Sequence, residues 1–252
     1  MFKLTKLLDH TFVHIIAQPR SGSTALQEYL KRPWLNEDNT LGKGLIMHRS
    51  LSEPFNIDKK SRMKTLPKNI KEQTAQAQLL CHDIHQHPQN YMAMKNLIDD
   101  ITKFDQHTQD MLYSLPGITV GLYRRNTLDQ TCSEFLLSIF KKQYPDQTVG
   151  VVKQDQHTSL NKRAFLNRLQ HNLQQKKFMH SIAHKFDVMI AYEEIQHQFP
   201  EQLSHWKNPP KSHSITNYND VVAWHDEYMQ QAGLHQKFTH KGINFVIDKT
   251  NK

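Results

Sequence analysis

The sequence predicts an α/β protein, a single three-layer domain with a central, mainly parallel sheet flanked by helices. Three observations carry this expectation. Short, largely apolar runs recur at 12–17, 92–95, 118–123 and 187–191. Between them lie longer segments whose apolar residues repeat every three or four positions, and strands alternating with helices build parallel sheets through right-handed crossovers. Finally, 252 residues suffice to bury one sizeable core without splitting the chain. The expected domain spans residues 1–252, with a core at about 12–195 and a helical and loop extension at 196–252.

Taken in order, Phe12 to Ala17 reads as a buried strand that stops at Pro19. A helix follows, with Ala25, Leu26, Tyr29 and Leu30 on one face. A polar, irregular stretch comes next, containing Gly42, Gly44 and the basic run Lys59-Lys60-Ser61-Arg62. The Gln- and Ala-rich segment from Pro67 to Leu80 predicts a helix opened by its proline. Met92 to Lys95 is a short strand. Leu97, Ile98, Ile101, Phe104, Thr108, Met111 and Leu112 then define one amphipathic helix. The Pro116-Gly117 turn leads into a strand at Ile118–Tyr123. Leu128, Cys132, Phe135, Leu136 and Ile139 mark the buried stripe of the next helix, with Ser133 off that stripe on a more open face. A further helix is expected from about Leu160 to His184, then a strand from Asp187. Ile215 to Tyr218 caps a late helix carrying Val221, Val222 and Trp224.

The chain is basic, with a formal net charge of +8 and a pI near 9.3. That balance suits a protein handling a multiply anionic ligand. Nucleic acid is not the expected partner, because the basic residues are scattered and the sequence carries no zinc-finger or helix-turn-helix signature and no interleaved aromatic platform. Two cysteines, Cys81 and Cys132, make no disulfide framework, which points to a reducing compartment. No signal peptide or membrane anchor is legible, so the expectation is a cytoplasmic protein. The 17 histidines are spread along the chain, and His180 with His184 lacks the glutamate of a zinc protease motif, so no metal is expected.

Two segments carry the chemistry. Pro19-Arg20-Ser21-Gly22-Ser23-Thr24 lies between the first strand and its helix. Such a turn points backbone N–H groups and the positive end of a helix dipole at one place, where a phosphate-like anion binds. Gly22 admits a close approach, Ser23 and Thr24 add hydroxyls, and Arg20 adds a cationic fork. It is not a Walker A loop, which would hold Gly-Lys-Ser/Thr with the lysine inside. The second segment, Arg124-Arg125-Asn126, follows another buried strand and opens a helix, with Ser133 two turns on. An arginine at a strand end and a serine in the next helix suit a single phosphate.

Together these segments resemble the cofactor elements of sulfotransferases that use 3′-phosphoadenosine 5′-phosphosulfate (PAPS), in the style of the carbohydrate and bacterial members. The resemblance implies a P-loop-like sulfotransferase fold. It implies that Arg20, Ser21, Gly22, Ser23 and Thr24 hold the 5′-phosphosulfate. The family's spacing of arginine to serine selects Arg125 and Ser133 for the 3′-phosphate, with Arg124 as neighbour. Three shorter echoes follow in the family's order: Ser52-Glu53-Pro54-Phe55, Met92-Ala93-Met94-Lys95, and Asp187 to Ile195 with its Tyr192-Glu193-Glu194 tail; with the two main segments they cover residues 12–195.

The activity implied is transfer of a sulfuryl group from PAPS, as co-substrate, to a hydroxyl of a sugar, lipid or small metabolite. Arg20 and Lys95 would meet the charge growing on the leaving phosphate, and Glu53 would take the acceptor's proton, with His48 as the rival base. Lys211 or Lys241-Gly242 could close over the nucleotide. The alternatives are a non-catalytic nucleotide-binding relic and, with less support, a nucleotide-dependent phosphotransferase. The acceptor and the oligomeric state are not legible.

Overall fold

Every residue from Phe12 to Ala17 is apolar except His14, and β1 (Val13–Ala17) is buried along its whole length. Burial on both faces is what a central parallel strand requires. The computed structural model describes residues 2–31, 49–52, 54, 69–143, 157–199, 211–234, 236–239 and 242–245. After β1 comes α1 (Ser23–Lys31), which buries Ala25, Leu26, Tyr29 and Leu30 as its periodicity predicts. Then follow β2 (Arg49–Ser52), α2 (Ile70–Gln86), β3 (Tyr91–Leu97), the single turn α3 (Ile98–Ile101), α4 (Gln106–Tyr113) and β4 (Ile118–Tyr123). Next are α5 (Thr127–Gln143), α6 (Lys162–Ser181), β5 (Val188–Ala191), the single turn α7 (Tyr192–Ile195), α8 (Tyr218–Gln231), β6 (Gln236–Thr239) and β7 (Gly242–Phe245).

Five strands form one sheet in the order β2-β3-β1-β4-β5, every pairing parallel, so the α/β class and the parallel sheet flanked by helices are as expected. β6 and β7 form a separate antiparallel hairpin, which the sequence reading missed. It also missed β2, a four-residue polar strand with little alternation to betray it.

Several boundaries moved for local reasons. The helix expected from Pro67 is capped by Asn69, whose side chain accepts from the Glu72 amide at 3.0 Å, and it runs to Gln86. Pro67 lies outside the described residues. The single helix expected over 97–112 is two. The strand continues through Leu97, and Asp105 starts α4 anew by accepting from the Thr108 amide at 2.8 Å. A local cap outcompeted the apolar periodicity.

The chain divides into two compact units. One comprises Met1–Tyr123 and Lys177–Phe199, the other Arg124–Lys176 and Pro200–Lys252. The first unit holds the sheet. Its largest core joins Phe12, Ile16 and Met94 to Ala77, Cys81 and Ile84 of α2, with Leu112, Met179 and Phe186. The second unit's core joins Leu128, Cys132 and Leu136 of α5 to Phe165 and Leu169 of α6, Ile215, and Val221 of α8. No helix among the described residues is long and apolar enough to cross a membrane.

Strand order fixes which helices share a face. The path from β1 to β2 runs one way across the sheet, while β2 to β3 and β3 to β4 run the other. Right-handed crossovers therefore put α1 on one face and α2 with α4 on the other. The two neighbours of β1 are β3 and β4, and the connections leaving β1 and β3 depart toward opposite faces. Open α/β sheets bind ligands at such a reversal, which here lies at the carboxyl ends of β1 and β3.

Candidate functional site

In the first unit, the turn after β1 lies at that reversal. The Gln18 amide extends the sheet by donating to the Leu122 carbonyl at 3.0 Å, and the chain then turns sharply. Arg20 has φ of +59° and Gly22 φ of +78°, with Ser21 between them on the negative side. A non-glycine residue in the left-handed region carries strain, and such residues gather at ligand-binding turns. Alternation of hand is also the backbone pattern from which anion-binding nests are built. Ser21 is fully buried, and its hydroxyl donates to the Gln18 carbonyl at 2.7 Å, bracing the turn. Ser23 and Thr24 occupy the first turn of α1, whose leading amides have no carbonyl four residues back within the helix.

Gly22 proves necessary for a reason other than ligand space. A Cβ built there would lie 2.3 Å from two carbons of the Tyr192 ring, and the left-handed φ disfavours any side chain. Tyr192, itself buried, follows β5 directly, so the end of β5 buttresses the turn after β1. The sequence marked Tyr192 as part of a late tail and gave no sign of this contact.

Lys95 comes to the same turn. It lies two residues inside β3 rather than at its end, and pairs in register with Ile15. Strand alternation turns it toward the face that α1 covers. There its side chain, 3% exposed, donates to the Thr24 hydroxyl at 3.0 Å. Arg20, Ser21, Gly22, Ser23, Thr24 and Lys95 are thus one assembly within the first unit. Its cations and hydroxyls suit a tetrahedral anion. Glu53 and His48 lie outside the described residues, as does Lys241.

The second unit opens with Arg124 and Arg125. Arg124 is buried and forms an ion pair with Asp129 one turn into α5. Asn126 caps α5, its side chain accepting from the Asp129 amide at 2.9 Å. Arg125 is only half-buried. Ser133 falls four residues beyond Asp129 on the same helix face. The expectation of an open face for Ser133 is corrected: it is 2% exposed. Its hydroxyl has no hydrogen-bond partner among the described residues, which leaves a buried donor for something else to satisfy.

Lys211, 6% exposed, is likewise buried. Burial pushes the Cys132 thiol up to about 12, against the opposing pull of the Lys211 and Arg124 charges, so both cations lie near the residue adjoining Ser133. Cys132 is thereby a packing residue with no thiolate chemistry near neutral pH. Among the described residues, no group of three or more His, Cys, Asp or Glu side chains could hold a metal ion.

No protein-family model matches this chain, and no curated protein sequence matches it significantly.

Proposed function

We propose that this protein is a PAPS-dependent sulfotransferase of P-loop-like architecture, acting on a hydroxyl of a sugar, lipid or small metabolite. The observation that carries the reading is the Lys95–Thr24 contact at the strained turn after β1, at the point where strand order reverses. A cation from β3, a hydroxyl from α1 and a helix N-terminus meet where a phosphosulfate would need all three. Arg125 and the buried Ser133 hydroxyl take the 3′-phosphate.

The reaction is an in-line displacement. The acceptor oxygen forms a bond to sulfur while the bond from sulfur to the 5′-phosphate oxygen breaks, releasing adenosine 3′,5′-bisphosphate. Negative charge grows on the departing phosphate, where Arg20, Lys95 and the amides of the turn stabilise it. The acceptor's proton passes to a base, for which Glu53 is the first candidate.

Thermal shift with adenosine 3′,5′-bisphosphate, 5′-AMP and ATP tests the proposal. Ligand at a hundred times its Kd stabilises the folded state by about 2.7 kcal/mol, so a preferred nucleotide stands out. The bisphosphate is expected to raise Tm well above the other two. Equal shifts for all three nucleotides, or a preference for ATP with magnesium, would count against it.

A further inference from the structure

In the second unit, α5 and α6 meet along a polar seam. The Lys176 ammonium donates to the Thr127 hydroxyl at 2.7 Å, the Asn172 amide donates to the Thr131 hydroxyl at 3.0 Å, and Arg168 lies 3.4 Å from the Glu134 carboxylate. The contacts ascend α5 through 127, 131 and 134 while descending α6 through 176, 172 and 168, so they set an antiparallel register. Thr127, Thr131 and Asn172 are fully buried and Lys176 is 7% exposed. Directional bonds among buried groups allow one register, because a slip would strand each of them without a partner.

The seam ends at the corner that carries Arg125. Besides Thr127, the Lys176 ammonium donates to the main-chain carbonyl of Arg125 at 3.0 Å. This is an unfavourable place for a cation. Burying an ammonium is costly, and the N-terminus of a helix repels positive charge. Arg124 and Arg125 already stand at that helix end. The buried Ser133 hydroxyl of the same helix, which has no hydrogen-bond partner among the described residues, is an independent sign of a ligand here.

We propose that Lys176 is a positioning residue for the 3′-phosphate. It clamps the Arg125 carbonyl to the first residue of α5, and so fixes the corner from which the Arg125 side chain reaches the ligand. This inference rests on the nucleotide reading above.

The test compares Lys176→Met with the unaltered protein by titration with adenosine 3′,5′-bisphosphate and 5′-AMP, and by amide hydrogen exchange of the unliganded protein. The expected result is at least a tenfold loss of bisphosphate affinity, unchanged 5′-AMP affinity, and faster exchange confined to residues 125–130. Arg168→Ala, at the far end of the seam, is expected to leave both affinities unchanged. Lys176→Met combined with Arg125→Ala is expected to bind the bisphosphate no more weakly than Arg125→Ala alone, since Lys176 acts through Arg125. Additive losses, or exchange that rises throughout the second unit, overturn the positioning role. A parent protein that binds the two nucleotides equally fails differently, since it overturns the nucleotide reading itself. If Lys176→Met does not fold, Thr127→Val removes one of the two clamping bonds. It is then expected to lower bisphosphate affinity about threefold, and an unchanged affinity overturns the proposal.

Discussion

The ammonium of Lys95 and the hydroxyl of Thr24 meet at 3.0 Å, joining the middle of the sheet to the first turn of the helix that leaves it. On the proposed chemistry the lysine is held in place before any ligand arrives, so its charge needs no reorganisation during transfer.

Lys95→Met is therefore expected to lower kcat about a hundredfold, the scale for losing one donor to a developing oxyanion, with a smaller change in bisphosphate affinity. Thr24→Val should have the milder effect, since it removes the tether and leaves the charge. Steady-state kinetics of both variants separates the two. If Thr24→Val proves the more damaging, Lys95 matters for structure and not for charge.

Gly22→Ala is expected to destabilise the first unit by about 2–4 kcal/mol, the sum of left-handed strain and overpacking against Tyr192. Urea denaturation measures it. Adding Tyr192→Ala should recover the overpacking share and leave the backbone strain. An absence of any recovery would mean that the ring is not what Gly22 accommodates.

Arg125 and Arg124 should part company. Arg125→Ala is expected to weaken adenosine 3′,5′-bisphosphate roughly ten- to a hundredfold, for a lost charge-assisted bond of about 1.5–3 kcal/mol, with 5′-AMP affinity little changed. Arg124→Ala should cost mainly stability, because it leaves Asp129 without its ion-pair partner. Calorimetric titration beside a melting curve distinguishes them, and the reverse pattern would move the ligand role to Arg124.

Stability should fall on mild acidification. His14 is fully buried in β1, with its Nε2 3.0 Å from the Asn96 amide nitrogen, and burial lowers its pKa to about 3. The unfolded chain takes up a proton below about 6.5 while the folded chain does not, so stability rises with pH between about 3 and 6.5. The slope is about 1.4 kcal/mol per pH unit well inside that window. Buried His225, also shifted down by desolvation, acts in the same direction. Urea titrations at pH 7 and pH 5 should differ by about 2 kcal/mol from His14 alone. His14→Leu should shrink that difference, and an unaltered difference would place the dependence elsewhere.

Glu53→Gln is expected to cut turnover by about 10² to 10⁴ while leaving nucleotide affinity intact, with His48→Gln nearly silent. The opposite ranking, in an assay with an accepted hydroxyl substrate, would hand the base's role to His48.

The parts legible in the sequence were those whose signal is local. β1 and β4 announce themselves through apolar runs, the first stopping at Pro19 and the second led in by Pro116-Gly117, and the turn from Pro19 to Thr24 through its proline and glycine. The buried stripe of α5 does so through its spacing. What stayed hidden depends on distant residues. Tyr192 meets Gly22 only because β5 pairs with β4, and Lys176 reaches Arg125 only because α6 packs against α5 in one register. Ser133 looked exposable because polar residues usually are. The break between α3 and α4 could have been found, since Asp105 three residues before Thr108 is a capping signal inside an otherwise helical pattern.

Neither compact unit is continuous along the chain, and this sets an order of events during synthesis. When the ribosome has delivered residues as far as Tyr123, β4 has no β5 beside it and Gly22 has no ring to rest on. More than fifty further residues must emerge before Lys177–Phe199 can close the sheet. Through that interval the nascent sheet presents an unpaired parallel edge, the kind of surface that aggregates or recruits chaperones. A chain stopped at Phe199 would finish the first unit while lacking the last segment of the second. Such truncations should therefore show a native-like turn after β1 before the surroundings of Ser133 have taken shape.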